Sequence, residues 1–334
     1  MRMRARYLFW VASGLLVAFL ASEAFWILVP TPVVQAATTR VDIPASLGVL
    51  DIARRLSQAG VIRSALAFSV LATLRGTARQ LRAGEYDIPQ NTSTLQILEQ
   101  IESGRVVQHT IVLPEGGSVA ELAAAFEAAG LATADDINRL GRDPLFLRTL
   151  HIEAPSLEGY LFPDTYQFVR GAAPEELLAR MVQRLRAKLT PELADRARAR
   201  GFTLHQLLTL ASIIEREAVV RDEMPLISAV FWNRLERNMP LQADPTVQYA
   251  VGKGRRGLTR ADLLVDHPYN TYRRTGLPPG PIASPGIAAV EAALAPAPVA
   301  YLYFVSMDDR RHYFSTTIAQ HNAAVGRYRL ARAR

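Results

Sequence analysis

The sequence has no cysteine and almost no lysine. Of its 334 residues none is Cys, and only Lys188 and Lys253 are lysines among the 38 basic residues. The absence of Cys excludes a disulfide framework, a thiolate nucleophile, an iron–sulfur cluster and a cysteine zinc site. The six histidines are dispersed without His-Glu-x-x-His spacing, and no phosphate-binding P-loop or G-x-S-x-G elbow occurs. We therefore expect no metal and no cofactor, and we predict that His312 and His321 are hydrogen-bonded structural residues.

The composition that remains is that of a folded protein. Hydrophobic residues make up 49% of the chain and charged residues 21%, which excludes a disordered chain. The net charge of +7 is modest and spread along the sequence, so it does not indicate a nucleic-acid-binding domain. A positive surplus of this size suits an anionic polymer or a lipid surface.

The N-terminus contains one long apolar run. Residues 7–29 carry a single charge, Glu23, and a helix of this length crosses a hydrocarbon core of about 30 Å. Arg2, Arg4 and Arg6 precede the run, which places residues 1–6 in the cytoplasm and the chain beyond a linker at 30–39 outside it. The alternative is a cleaved signal peptide, although its apolar stretch is usually only about 7–15 residues long.

Residues 40–130 contain one pattern three times. An apolar-Pro pair leads into a short amphipathic helix, and a glycine follows where a left-handed cap is needed. The three pairs and their glycines are Ile43-Pro44 with Gly60, Ile88-Pro89 with Gly104, and Leu113-Pro114 with Gly130. Short strands are predicted before the second and third Pro. These strand–helix units loosely resemble LysM-type glycan-binding modules; the alternative is a plain scaffold.

Residues 131–334 form a larger domain that we interpret as catalytic. One helix is predicted from Pro174 to about Arg200, and a second starts at a capping box of Thr203 and Gln206 and runs to about Val219. Apolar residues cover nearly the whole circumference of this second helix, which predicts that it is buried. The overall expectation is an α+β fold with an N-terminal transmembrane helix, a small LysM-like module and a larger mixed α+β catalytic domain.

The buried helix ends with two carboxylates, Glu215 and Glu217. Residues two apart on a helix point about 200° apart, so these side chains cannot share one site. A carboxylate at such a position must pair, reach a cleft or take up a proton. One is expected to meet a cleft while the other pairs with a cation such as Arg216 or Arg221; the alternative is two structural ion pairs.

Loops rich in aromatic residues, amides, carboxylates and proline surround this helix in the sequence. Such loops suit a sugar-binding groove, because rings stack on sugar faces while polar groups bind hydroxyls. The clearest strings are Ser156–Tyr166, Leu210–Glu217, Asp244–Tyr249, Tyr269–Tyr272 and Gly276–Gly286. In this order they resemble the endolytic murein transglycosylase family, also called MltG or YceG-like, and the resemblance runs from the N-terminal run to His321-Asn322.

The resemblance implies an enzyme that cuts peptidoglycan glycan strands internally, between MurNAc and GlcNAc, and leaves 1,6-anhydro-MurNAc ends. It also implies a single-pass inner-membrane protein with its C-terminal part in the periplasm, which limits strand elongation beside peptidoglycan synthases. The family's catalytic acid falls on Glu217. Helix geometry alone leaves Glu215 open as the acid.

Four further residues are candidates for binding sugar hydroxyls or stabilising charge at C1: Glu158, Asp244, Asn270 and Tyr272. For each, loop structure is the alternative. Lytic chemistry needs one carboxylic acid, whereas ordinary glycosidases need two. Two other functions therefore stay open: a muramidase-type hydrolase using Glu217 with Asp244, and a non-catalytic glycan-binding scaffold for wall synthesis.

Overall fold

The computed structural model describes residues 10–15, 17–19, 21–22, 25, 38–254, 256–307 and 311–332. Within those ranges no helix is both long and apolar enough to cross a membrane. The predicted cytoplasmic tail, eleven of the 23 residues of the predicted span 7–29 and most of the linker 30–39 lie outside the described residues, and the twelve described residues of the span are helical.

The chain divides into two compact units. The first comprises Met1–His109 with Gln167–Ala172, and the second comprises Thr110–Tyr166 with Ala173–Arg334. This division falls after His109, whereas the sequence pattern placed the end of the module at residue 130. The third apolar-Pro repeat therefore belongs to the larger unit.

Over residues 38–109, the first unit is a two-stranded sheet covered by three helices. Strands β1 and β2 are antiparallel, with Thr38 opposite Pro89 and Ile43 opposite Gly84. The elements in chain order are β1 (Thr38–Ile43), α1 (Val49–Gln58), α2 (Ala65–Leu74), β2 (Gly84–Pro89) and α3 (Thr94–Ser103). Their inward residues form one apolar core, with Tyr86 at its centre and its hydroxyl donating to the Arg82 carbonyl oxygen.

The second unit is mainly helical. Its helices in chain order are α4 (Val119–Ala128), α5 (Ala134–Leu140), α6 (Pro144–Thr149), α7 (Pro174–Lys188), α8 (Pro191–Ala199), α9 (Leu204–Glu217), α10 (Met224–Glu236), α11 (Asp244–Ala250), α12 (Arg260–Leu263), α13 (Ile287–Leu294) and α14 (Ile318–Arg332). Strand β3 (His109–Leu113) pairs with β4 (Asp164–Phe168), and β5 (Tyr303–Ser306) pairs antiparallel with β6 (His312–Ser315). The fold is thus mixed α+β with small sheets, as predicted.

The repeated pattern is confirmed at the level of local structure. Each apolar-Pro pair is followed by a helix, namely α1, α3 and α4. The glycine after each has positive φ: 72° at Gly60, 68° at Gly104 and 64° at Gly130. That backbone conformation is open to glycine at little cost because it has no Cβ.

One helix prediction is wrong in its length. The segment from Pro174 to Arg200 forms two helices, because Thr190 caps a new helix that starts with Pro191. Proline has no backbone N–H for a helix interior but fits the first helical position, so the chain breaks there. Helix α2 was not predicted at all.

Candidate active site

Helix α9 delivers Glu217 to the site. The Thr203 side chain accepts from the Gln206 backbone N–H, and Gln206 accepts from the Thr203 backbone N–H, which forms the predicted capping box. All residues from Leu207 to Ile214 are buried. Glu217 is the last helical residue and remains half-buried, so its carboxyl lies at the edge of the core.

The pKa of the Glu217 carboxyl is raised to about 8. Burial is the main cause, and the negative charge of the neighbouring Asp244 carboxylate is the second. The Arg234 guanidinium, the nearby backbone N–H of Asp244 and Arg216 act in the opposite direction. Desolvation outweighs these three effects. Glu217 is therefore largely protonated at neutral pH, as a general acid needs to be.

Asp244 and Tyr272 stand beside this acid. Asp244 is the first residue of α11 and is exposed, and the Tyr272 hydroxyl donates to its Oδ1 atom at 2.5 Å. Burial and this hydrogen bond both raise the pKa of Tyr272, so the phenol stays protonated and keeps donating. Glu217, Asp244 and Tyr272 thus lie close together, and the roles given to them from the sequence stay predictions.

Arg234 is a buried cation next to the cluster, and sequence reasoning did not single it out. It donates to the carbonyl oxygens of Leu302, Pro240 and Leu241, at 2.7, 3.1 and 2.8 Å. Its guanidinium also lies over the Tyr303 ring, 5.2 Å from the centroid. These contacts fix the charge beside Glu217 and tie α10 to the loop that leads into Asp244. The available signal in the sequence was an Arg that follows a largely apolar stretch of the helix, Leu226–Trp232.

Glu215 has a different setting, as the helix geometry predicted. Its Oε2 atom accepts from the Gly286 backbone N–H at 2.9 Å, at the start of α13. Arg221 lies near Glu215 but its ion pair is with Glu115, at 2.7 Å. Glu215 therefore caps a neighbouring helix.

Glu158 lies in an enclosed position. Its side chain is buried and accepts from the Val119 backbone N–H at the start of α4, at 3.2 Å. Burial raises the pKa of Glu158 to about 7, against the effect of that hydrogen bond. Its nearness also contributes to the raised pKa values of Tyr249 and Tyr269, whose rings lie 4.9 Å apart. The carboxyl thus lies between a half-buried tyrosine pair and the N-terminus of α4.

Asn270 is completely buried and bonded to its own loop. Its amide nitrogen donates to the carbonyl oxygens of Leu263 and Val265, at 3.0 and 2.8 Å. Its Oδ1 atom accepts from the Tyr272 backbone N–H at 3.0 Å. Asn270 therefore holds the turn that presents Tyr272 to Asp244.

A separate apolar cavity of about 540 Å³ lies at the other end of α9. Phe202, Trp232 and Pro278 line it together with His205. His205 and Glu217 are twelve residues apart on α9, which corresponds to about 18 Å along the helix axis. Both His205 nitrogens are engaged, Nδ1 with the Tyr160 hydroxyl at 2.9 Å and Nε2 with the Pro279 carbonyl oxygen at 2.7 Å. This cavity does not contain the acid.

The two C-terminal histidines differ from each other. His312 meets its prediction, because its Nδ1 atom lies 2.8 Å from Glu223 Oε2. The prediction for His321 is wrong: its ring stacks on Tyr303, and its buried Nδ1 atom has no hydrogen-bond partner among the described residues. The described chain also holds no cluster of three or more His, Asp or Glu side chains suited to a metal ion.

The chain has a mixed α+β fold, and Glu217 at the end of a buried helix is protonated at neutral pH. These features define a candidate site for acid–base chemistry. The particular family follows from comparison: residues 41–327 match the model of the YceG-like family, and the chain belongs to that family.

Named relatives and a solved structure agree with this assignment. The endolytic murein transglycosylase of Bacillus subtilis is 34% identical over 307 residues, covering 87% of this chain and 85% of that protein. The endolytic murein transglycosylase of Streptococcus pneumoniae strain D39 is 30% identical over 86% of this chain, which spans 58% of that protein's length. A crystal structure of a yceG-like protein from Listeria monocytogenes superimposes with a TM-score of 0.62 at 34% identity, covering 87% of this chain and 100% of that one.

Proposed function

We propose that this protein is an endolytic murein transglycosylase, which cleaves the glycan strands of peptidoglycan internally. Family membership and the printed names of its relatives support this activity. The observation that carries the chemical assignment is Glu217, a carboxylic acid whose pKa is raised to about 8 by burial at the end of α9. The acid must carry its proton at the start of the reaction, and the raised pKa keeps Glu217 protonated at neutral pH.

In the proposed reaction Glu217 acts twice, first as an acid and then as a base. Glu217 donates it to the glycosidic oxygen between MurNAc and GlcNAc, and the bond from this oxygen to C1 of MurNAc breaks. The Glu217 carboxylate then takes the proton from the muramyl C6 hydroxyl, while the C6 oxygen bonds to C1. The products are a free GlcNAc hydroxyl and a 1,6-anhydro-MurNAc end, and Glu217 is protonated again.

The surrounding residues support the carboxylate that exists between the two proton transfers. The Asp244 backbone N–H lies close to it, and the buried Arg234 supplies positive charge while forming no ion pair with a carboxylate among the described residues. Their effect on the pKa of Glu217 is smaller than that of burial, so they stabilise the anion without removing the resting proton.

Asp244 and Tyr272 are the proposed substrate-facing partners. The exposed Asp244 carboxylate is suited to stabilise positive charge that develops at C1, and Tyr272 fixes its orientation. For the two enclosed candidates, Glu158 and Asn270, we propose positioning roles in place of direct sugar contact. Their side chains are buried and bonded to backbone groups that hold α4 and the Tyr272 turn.

The cellular setting is also a proposal. Arg2, Arg4, Arg6 and the apolar run 7–29 support a single-pass inner-membrane anchor with the remaining chain in the periplasm. There the enzyme would terminate nascent strands beside peptidoglycan synthases. The strand–helix repeats at 40–130 support weak glycan contact of the LysM type by that region.

Product analysis tests the activity. Purified peptidoglycan is digested with the full-length protein in detergent, and the fragments are identified by mass spectrometry. We expect internal fragments with 1,6-anhydro-MurNAc ends from the wild type and none from Glu217→Gln. Reducing ends would replace the lytic mechanism by the two-carboxylate hydrolase, for which the closeness of Asp244 to Glu217 is the favouring observation. If the wild-type protein cleaved no glycan, the non-catalytic glycan-binding scaffold would be the remaining function.

A further inference from the structure

Helix α2 of the first unit is apolar on both of its faces. The inner face packs Ala67, Phe68 and Ala72 into the core. The outer face carries Leu66, Val70 and Leu74, which are 51%, 45% and 81% exposed. Because these three residues are spaced by four, they align along one side of the helix.

This stripe differs from the scattered exposed leucines of an ordinary surface. A single exposed apolar residue needs no explanation, but aligned ones on a continuous face mark an interaction surface. Leu66, Val70 and Leu74 are not needed for the core of the first unit, because the opposite face of α2 makes the core contacts. The stripe therefore calls for a partner with apolar character.

Every charged residue in the sequence segment that carries the stripe is basic. Residues 63–82 contain four arginines and neither Asp nor Glu. Arg63 precedes the helix and Arg79 follows it, and both are exposed. Arg75 is paired with Glu99 and Glu102, at 3.2 and 3.7 Å, so it contributes less to the field. An apolar stripe with flanking cations matches an anionic lipid surface, into which apolar side chains insert while arginines meet headgroups.

The sequence places such a surface within reach. The apolar run ends at Val29 and β1 begins at Thr38, so eight residues separate them. An extended connection of this length spans at most about 30 Å. If residues 7–29 are an anchor, the first unit cannot move far from the lipid.

We propose that Leu66, Val70 and Leu74, with Arg63 and Arg79, dock the first unit onto an anionic membrane surface. This inference rests on the membrane anchor suggested above and is independent of the catalytic assignment. Docking would hold the enzyme at a fixed height above the bilayer, and so fix which part of an adjacent glycan strand it reaches.

The natural absence of cysteine makes a direct test practical. The full chain is reconstituted into vesicles with three parts zwitterionic to one part phosphatidylglycerol lipid, as single-Cys variants Val70→Cys and Leu74→Cys labelled with bimane. Quenching by lipids brominated along their acyl chains reports insertion. The matched control is Leu145→Cys, on α6 of the second unit, where the leucine is 70% exposed but stands outside any such stripe.

We expect quenching at positions 70 and 74 at least threefold greater than at 145, and weaker when phosphatidylglycerol is omitted or salt is raised. A variant that combines Leu66→Ser and Val70→Ser with the label at Leu74→Cys should lose the difference once Arg63→Gln and Arg79→Gln are added. Equal quenching at 74 and 145 would overturn the proposal. Efficient disulfide formation between two copies of Leu74→Cys, with no quenching, would do the same and assign the stripe to a second copy of the chain.

Two controls separate this outcome from failures elsewhere. Carbonate extraction of the same vesicles tests the anchor, since an anchored chain stays with the lipid whether or not α2 docks. Cleavage of soluble glycan fragments tests the catalytic unit, and the α2 substitutions should leave it unchanged. Retention and cleavage without quenching would therefore count against docking alone.

Discussion

The hydroxyl of Tyr272 donates to Asp244 Oδ1 at 2.5 Å, although the two residues are 28 positions apart in the sequence. The backbone N–H and the carboxylate of the same Asp244 both lie close to the carboxyl of Glu217. One residue thus joins the proposed acid to a tyrosine on a separate loop. Its side chain raises the pKa of Glu217 while its backbone lowers it.

Replacing Asp244 by Asn should shift the pH dependence of cleavage. The change removes a negative charge that raises the pKa of Glu217, so Glu217 loses its proton at lower pH than in the wild type. The alkaline limb of the rate profile should move toward acid. Turnover at pH 6 should fall only about tenfold, equivalent to about 1.4 kcal/mol of transition-state stabilisation. The measurement is the initial rate of anhydro-product formation from pH 5 to pH 9.

Tyr272→Phe is the matched control, because it removes the hydrogen bond but keeps the Asp244 charge. Its alkaline limb should stay closer to that of the wild type than the limb of Asp244→Asn does. A profile of Asp244→Asn that is unshifted, or an enzyme as inactive as Glu217→Gln, would contradict the role given to Asp244.

Glu217→Gln should abolish cleavage and stabilise the protein at alkaline pH. Loss of the acid should slow the reaction by about 10²–10⁴-fold or more. The pKa of Glu217 is raised from 4.5 to about 8, so the wild type loses stability relative to the variant as pH rises from 4.5 through 8. The full shift sets an upper limit of about 5 kcal/mol, and partial exposure reduces it.

Urea unfolding of wild type and Glu217→Gln at pH 5 and pH 9 measures this difference. The gap between the two unfolding free energies should widen at pH 9 in favour of the variant. A gap that is the same at both values would mean that the Glu217 pKa is not raised in the folded protein.

Local sequence signals predicted the elements around the acid well. The capping box at Thr203 and the apolar circumference of α9 fix both the start of the helix and its burial. The apolar-Pro pairs and their glycines fix α1, α3 and α4. These signals depend on only a few neighbouring residues, so they can be recognised in the sequence before the tertiary structure is known.

Roles that depend on long-range packing could not be predicted in the same way. Asn270 and Glu158 have the residue types of sugar-binding groups, yet the fold encloses both and uses them to hold backbone. Arg234 acquires its place from the carbonyl groups of Leu302, which precedes β5, and of Leu241 in a neighbouring loop. Whether a polar side chain is buried depends on which distant segments of the chain pack around it. A local sequence motif does not contain this information.

Glu215 should prove important for stability and dispensable for chemistry. Glu215→Ala leaves the Gly286 N–H at the start of α13 without its acceptor, and we expect a loss of about 1–2 kcal/mol. Glu215→Gln keeps an acceptor oxygen and should lose less. Both variants should cleave peptidoglycan below their unfolding temperature. If Glu215→Gln were folded but inactive while Glu217→Gln still cleaved, the acid would be Glu215.

Gly159→Ala should be among the most damaging single-methyl changes in the second unit. Gly159 has a φ of 80°, and an added Cβ would lie 2.3 Å from Cβ of Pro281, whose ring cannot rotate away. We expect a loss of about 3 kcal/mol or more, because backbone strain and overlap act together.

Gly201→Ala isolates the strain, since Gly201 has a φ of 72° but open space around its Cβ position. It should cost only about 1–2 kcal/mol. Urea midpoints of the two variants give the comparison. Equal midpoints would show that the loop of Pro281 yields to the methyl group, and that its close approach to the residue after Glu158 is not fixed by packing.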